Sequence, residues 1–211
     1  MIDEPVVVEE KVDWSSYART VNRNDQDIIT AIIKLHNNGE NFEVDPTYSK
    51  GVFWEGLTPP RLKFDINPVV EGVEKASATD LPLEAESVQS IMFDPPFVVR
   101  VKSEAKGIIH NRFSSFTSIP SLWEFYREAL EEFYRILKPG GIVAFKCQDT
   151  IDGGREYWSH YMVMKFAFEL GYKVKDLFIL YRGDNVLFSP NMKVQQHARK
   201  THCYYIVLEK R

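Results

Sequence analysis

The stretch "SIMFDPPF", residues 90–97, decides the reading of the chain. Ser90 to Asp94 is an apolar run closed by a carboxylate, and two prolines follow at once. Proline has no N–H to give a ladder and fixes its own φ. It also pushes the residue before it towards extended geometry. The spacing therefore predicts a buried strand that stops at Asp94, a rigid turn through Pro95 and Pro96, and an aromatic side chain, Phe97, presented beyond it.

Outward from this strand, apolar periodicity alternates between two kinds. "NDQDIITAIIKLHNNG" (24–39), "SLWEFYREALEEFYRILKPGG" (121–141) and "REYWSHYMVMKFAFELGY" (155–172) read as helices, with Asn24 or Asp25 and Ser121 as caps. "NFEVDP" (41–46), "RLKFDINP" (61–68), the start of 73–88, "GIVAFKCQD" (141–149), "KVKDLFILYRG" (173–183) and "THCYYIVLEKR" (201–211) read as strands. Such alternation predicts an α/β fold with a mainly parallel sheet and helices on both faces. The last two strands have no helix between them, so they form an antiparallel hairpin edge. Residues 1–23 read as an N-terminal arm, and 24–211 as one domain with insertion loops at 98–120 and 182–200.

Composition narrows the function. The chain has 211 residues and 44% hydrophobic content, enough for one sizeable core. No apolar run approaches the ~20 residues a membrane span needs. The start, "MIDEPVVVEEKVD", has no signal-peptide pattern. Cys147 and Cys203 match no metal spacing and read as buried free thiols, which suits a reducing cytoplasm. A net charge of −4 argues against indiscriminate polyanion binding, yet basic residues cluster in both loops. Arg100, Lys102, Lys106, His110 and Arg112 fall in the first, and Arg182, Lys193, Gln195, Gln196, His197, Arg199 and Lys200 in the second. Arg and Lys neutralise phosphates, and Gln can read adenine edges. A solvated charged surface is the competing reading of both loops.

In a parallel sheet, ligands bind beyond the carboxyl ends of the strands. Asp45, Asp65, Asp94 and Asp149 each end a strand, and Asp80 follows another apolar segment. Together they would line a crevice with acceptors for hydroxyls and amines. Asp65 follows Asp45 by about 20 positions, the interval between a nucleoside-binding turn and a ribose-binding acid. No GxGxxG is present, which disfavours NAD and FAD, while a nucleoside cofactor without a diphosphate stays open.

These residues resemble class I S-adenosylmethionine-dependent methyltransferases of the DNA amino-methylating type. "FDPPF" resembles the [D/N/S]PP[Y/F/W] motif of enzymes acting on exocyclic nitrogens. "TDLPLEAESVQSIMFDPPF", "LKPGGIVAFKCQD" and "HARKTHCYYIVLEK" are similar to the stretches around it, in order, and the resemblance covers about residues 40–211. It implies a Rossmann-like, seven-stranded sheet and S-adenosyl-L-methionine as cofactor. DNA is the implied partner, with RNA as the alternative and no metal. It also implies a monomer or homodimer in the cytoplasm of a bacterial or phage-infected cell. The catalytic residues it implies are Asp94, Pro95, Pro96 and Phe97. Asp94 and the Pro95 carbonyl would accept the target amine's N–H bonds, while Phe97 would stack on the flipped base. For the cofactor it implies Asp65 at the ribose, with Asp80 and Leu81 at the adenine.

The family's FxGxG turn is replaced here by "DPTYSKG" (45–51), with only Gly51, and small phage- and prophage-type methylases look similar there. Asp45, Pro46, Tyr48, Ser49 and Lys50 are expected to fill the gap, with Asp45 at the cofactor's amino group and Lys50 near its carboxylate. Adenine N6 in DNA is the foremost substrate. An RNA or N4-cytosine enzyme is the alternative, and a methyltransferase-fold binding protein without catalysis is the reading from another class.

Overall fold

The computed structural model of the chain describes residues 17–97, 116, 118–183 and 194–211. The first strands in chain order are β1 (Val21–Asn22), β2 (Val44–Asp45), β3 (Leu62–Asp65), β4 (Glu74–Lys75) and β5 (Val88–Phe93). They are followed by β6 (Leu137–Cys147), β7 (Thr150–Asp152), β8 (Arg155–Tyr157), β9 (Tyr172–Tyr181) and β10 (His202–Lys210). Eight of them form one sheet in the order β1-β9-β10-β6-β5-β2-β3-β4, and β7 pairs with β8 apart from it. In the large sheet β10 alone runs against its neighbours, and the other pairings are parallel. The α/β arrangement is Rossmann-like, with the expected C-terminal hairpin of β9 and β10. The expected count of seven strands is corrected to eight, because Val21–Asn22 pairs with Ile179 and Leu180 at the edge. Two residues carry no periodicity, so that strand becomes visible only beside its partner.

Helices cover both faces. Helix α1 (Asp25–His36) is capped by Asn24, whose side chain accepts from the Asp27 N–H. Its Ile28, Ile29 and Ile32 are buried with Met92, Ala144, Phe178 and Val207 on one face of the sheet. Helices α2 (Ile119–Ile136) and α3 (Ser159–Glu169) cover the other face, over Ile91, Phe93, Val143, Phe145 and Ile206. Alternate residues of β5 and β6 therefore enter two cores, which is why both strands read as continuous apolar runs. Phe93 meets Phe133 and Phe145 edge-on, with centroids 4.9 and 5.0 Å away. Such pairs add about 0.5–1.5 kcal/mol each beyond area burial.

Two boundaries differ from expectation. Helix α2 starts at Ile119, with Ser118 rather than Ser121 as cap. The two serines form a reciprocal capping box, and Pro120 sits in the first turn, where its missing N–H costs nothing. Arg155–Tyr157 is not the start of a helix but strand β8, which forms a hairpin with β7. Gly153 and Gly154 join them, both with positive φ (56° and 76°), as a tight primed hairpin turn requires. At the head of β6, a Cβ on Gly141 would lie 2.9 Å from the carbonyls of Gln89 and Lys138. Only glycine lets that chain approach β5.

Because β2, β3, β5 and β6 are parallel, their carboxyl ends share one edge. Asp45 and Asp65 are the last residues of their strands, Asp94 follows β5 directly, and Asp149 lies just past β6. Cys147 and Cys203 are free and buried. Among the described residues no helix is long and apolar enough to cross a membrane.

Candidate active site

The turn after β5 is held from three directions. The Asp94 N–H donates to Thr47 Oγ1 at 3.2 Å, and the same hydroxyl donates to Asp45 Oδ1 at 3.2 Å. Tyr126, fully buried on α2, donates its hydroxyl to the Pro96 carbonyl at 3.0 Å. Lys146 Nζ, from β6, donates to Asp94 Oδ2 at 3.2 Å. The Asp94 side chain keeps 29% of its surface. Burial raises its carboxyl above the usual range, and Lys146 opposes that shift. Pro95 is buried, while Pro96 and Phe97 are partly exposed.

Lys146 was not anticipated. Its side chain is 3% exposed, and its ammonium also lies 2.8 Å from Asp25 Oδ1. Asp25 in turn accepts from the Tyr205 hydroxyl and, at 3.1 Å, from Arg182. Despite burial, these partners hold the Asp25 carboxyl below its usual range, Lys146 most of all. The signal for this cluster lay in "GIVAFKCQD": a lysine in the middle of a two-faced core strand must find an ionic partner.

The first turn is built around Asp45. That carboxylate is 3% exposed. Its Oδ1 accepts the Thr47 N–H at 2.8 Å and its Oδ2 the Trp54 indole N–H at 2.8 Å. Both oxygens of the carboxylate expected at the cofactor's amino group are thus bonded within the turn. Burial pushes its carboxyl up to about 7, and the Asp94 charge adds to this against the bonds from Trp54 and Thr47. Trp54 and Thr47, neither singled out from sequence, thus organise the turn. Ser49 takes a left-handed conformation (φ 52°), and Gly51 another (φ 74°). The Tyr48 ring packs so closely on Gly51 that a Cβ there would meet it at 2.7–2.9 Å. The Tyr48 ring thus occupies the space over Gly51, and Lys50 is exposed beside it.

Asp65 ties the next strand to this turn: its Oδ2 accepts the Ser49 N–H at 2.9 Å and its Oδ1 the Asn67 N–H at 2.8 Å. Asp80 closes a small bend on Ser77, and Leu81 after it is buried. Helix α2 clamps Leu81 from both sides. Glu132 Oε1 accepts its N–H at 2.8 Å, and Arg135 donates to the carbonyls of Leu81 and Leu83 at 3.2 and 2.8 Å. Against burial, the bonds from Arg135 and Leu81 hold the Glu132 carboxyl below its usual range.

A cleft of about 910 Å³ opens beside Phe97, walled by Gln148, Asp149, Thr150, Arg182, Gln196 and Arg199 among others. Among the described residues, Thr150 Oγ1 is the buried side-chain polar atom without a hydrogen-bond partner, and Thr150 lies in this wall. Asp149 is 2% exposed and accepts from His160 Nδ1 at 2.8 Å. His160 stacks on Tyr204 with centroids 4.4 Å apart. Of the second basic segment, Arg182, Gln196, His197, Arg199 and Lys200 line the cleft, and some of these are engaged within the chain. Lys200 pairs with Glu156 and lies 4.6 Å over the Trp158 ring, and His197 bonds the Gly154 carbonyl at 2.7 Å. Arg100, Lys102, Lys106, His110, Arg112 and Lys193 lie outside the described residues. Among the described residues no cluster of three or more His, Cys, Asp or Glu could hold a metal ion.

No protein-family model matches the chain, and no curated protein does. Solved structures do. One is a protein described as a putative DNA modification methylase from Thermus thermophilus, complexed with S-adenosyl-L-methionine (17% identity, 61% of this chain and 50% of that chain, TM-score 0.43). Another is the PvuII DNA methyltransferase, cytosine-N4-specific (16%, 62% and 45%, TM-score 0.43). A third is TrmN from Thermus thermophilus (16%, 87% and 48%, TM-score 0.48). The chain spans about half the length of each of these.

Proposed function

We propose that the chain is an S-adenosylmethionine-dependent methyltransferase acting on an exocyclic amine of a nucleic-acid base, with adenine N6 in DNA as the foremost substrate. The observation that carries this is the placement of Asp94. Its partly exposed carboxylate stands on a proline-locked turn at the carboxyl edge of a parallel sheet, bonded through its N–H to the turn after β2 and three residues before Phe97 in the cleft wall.

The residues present fit a nucleoside cofactor. Ser49 and Gly51 supply the left-handed backbone that a glycine turn would give, although Tyr48 occupies the space over Gly51. Asp65 lies next to that turn and would take the ribose hydroxyls. Asp80, with Leu81 fixed by Glu132 and Arg135, would take the adenine. Tyr48, Ser49 and Lys50 would face the amino-acid end, with Asp45 and Pro46 shaping the turn from inside. When bound, S-adenosyl-L-methionine supplies an already activated sulfonium methyl group.

What remains for the protein is positioning and fixed polarity. An exocyclic amine is a weak nucleophile because its lone pair is delocalised into the ring. Asp94 and the Pro95 carbonyl accept its two N–H bonds, draw the nitrogen towards tetrahedral geometry and free the lone pair. Phe97 stacks on the base, and a flipped nucleotide regains part of the few kcal/mol its extrusion costs. Arg182, Gln196 and Arg199, with the Thr150 hydroxyl, line the cleft where the rest of the nucleotide would lie.

The test is labelled-methyl transfer from S-adenosylmethionine to DNA, RNA and free nucleosides, with the modified base identified. N6-methyladenine in DNA supports the reading. N4-methylcytosine or a labelled RNA base moves the substrate within the class. No transfer alongside retained nucleic-acid binding favours a binding protein on the same fold.

A further inference from the structure

Lys146 stands at the centre of this edge without a role in the mechanism above. The β5–β6 register pairs Phe93 with Phe145, which brings Lys146 alongside Asp94. Across β6, Lys146 is paired with Tyr205 of β10. Its ammonium is boxed by rings, 4.9 Å from the Phe53 centroid, 5.3 Å from Tyr205 and 6.0 Å from Phe97. An ammonium loses its hydration there, and an apolar side chain of similar length would fill the space without that penalty. Packing alone does not explain a lysine.

The two carboxylates it joins are held unequally. Asp25 is bonded from three sides, by Lys146, the Tyr205 hydroxyl and Arg182, and its side chain is 18% exposed. Among the described residues, Asp94 receives only Lys146 on its carboxylate, through Oδ2, and keeps 29% of its surface. Asp25 is thus the fixed counter-ion, and Asp94 is the carboxylate with an oxygen to offer.

We propose that Lys146 is the positioning residue for Asp94: it pins Oδ2 and so presents Oδ1 to the target amine, while Asp25 anchors the lysine. This rests on the function proposed above. It adds a constraint on both orientation and charge. An ionised carboxylate accepts the stronger hydrogen bond from an amine and cannot compete as a donor. The groups facing Asp94 are Lys146 of β6, Asp25 at the start of α1, Asp45 at the end of β2, and Arg182 after β9, with the neutral Tyr126, Cys203 and Tyr205 nearby. Lys146 is the nearest positive charge, so its removal leaves Asp94 facing the Asp25 carboxylate with only Arg182 opposing it.

The experiment uses the full chain without ligand, labelled at aspartate 13Cγ, with Asp94→Asn assigning the Asp94 signal. In Lys146→Met the Asp94 titration midpoint moves up by at least about one unit, as loss of a close opposite charge does. In Asp25→Asn, which leaves Lys146 to Asp94 alone, it moves down. Opposite shifts are not a consequence of loosened packing. In parallel, Lys146→Met lowers methyl transfer by about 100-fold, the scale for loss of a preorganised partner. Its S-adenosylmethionine affinity stays within about threefold, and Lys146→Arg restores part of the rate. Unmoved midpoints in a folded Lys146→Met, or parent-like turnover, overturn the role of Lys146 alone. If Lys146→Met does not fold, the Asp25→Asn shift decides, and an upward or absent shift overturns it. A parent chain that methylates none of the substrates named above overturns the function reading and the proposal with it.

Discussion

The Tyr126 hydroxyl donates to the Pro96 carbonyl at 3.0 Å, so a fully buried residue of helix α2 fixes the far side of the turn that carries Asp94. Tyr126→Phe keeps the ring and removes that bond. We expect a stability loss of about 1 kcal/mol, typical of one intramolecular hydrogen bond. Methyl transfer should drop about tenfold while S-adenosylmethionine binding is unchanged. Thermal unfolding, turnover and calorimetry check the three parts. Unaltered turnover would separate the turn's rigidity from the reaction.

Asp45 should titrate near pH 7, far above a free aspartate, because burial dominates its environment. Trp54→Phe removes a bond that favours the charged form and moves the midpoint higher still. The folded chain holds this proton more tightly than the unfolded chain. Its contribution to stability is therefore complete below about pH 4 and is lost as the pH rises through about 7. Carboxyl 13C titration reads the midpoint directly, and a value near 4 would refute the assignment.

Glu132 and Arg135 should matter to cofactor affinity without touching the cofactor. Glu132→Ala leaves the buried Leu81 N–H unpaired, at a cost of about 1–3 kcal/mol. With Asp80 and Leu81 at the adenine, as proposed, affinity for S-adenosylmethionine and for adenosine should fall together. Lys50→Ala should instead weaken S-adenosylmethionine and spare adenosine, which lacks the amino-acid tail. Calorimetry with both ligands tells the two ends of the pocket apart.

The left-handed pair in the first turn should respond in opposite ways. Ser49→Gly relieves a conformation that costs a side-chain-bearing residue roughly 1–2 kcal/mol, offset in part by the freedom glycine regains on unfolding. Its Tm should hold or rise. Gly51→Ala adds both a strained φ and a clash with the Tyr48 ring, and should lower the Tm and displace Tyr48. Differential scanning and tyrosine fluorescence measure these effects.

Much of this was legible in the sequence. "SIMFDPPF" announced a buried strand ended by proline, and parallelism then forced the aspartates of neighbouring strands to one edge. The Gly153–Gly154 turn also had a readable signal, yet the helical pattern of 155–172 masked the hairpin before it. Pro120 marked Ser118 as the better cap by the same local logic. Lys146 was visible as an oddity, but its partner Asp25 lies at the other end of the chain, and no periodicity connects them. Asp45 was legible as a strand-end carboxylate, but nothing local in the sequence marks Trp54, nine residues on, as the donor that closes over it.

The short edge pairing of Val21–Asn22 has a reach its size conceals. The Thr20 carbonyl takes the Ile179 amide at 2.7 Å, and Asp25 follows a few residues later at the start of α1. Fraying of that edge would loosen the chain leading into the anion opposite Lys146. Amide exchange at Ile179 is a gauge of it, since local opening free energies differ across a structure. A protease cut between Asn22 and Asn24 would free that lead-in while Ile28, Ile29 and Ile32 still hold α1 to the sheet. Asp25 would then be held by Lys146, Tyr205 and Arg182 without the edge strand behind it, which makes Val21–Asn22 a tether for an ion pair as well as the end of a sheet.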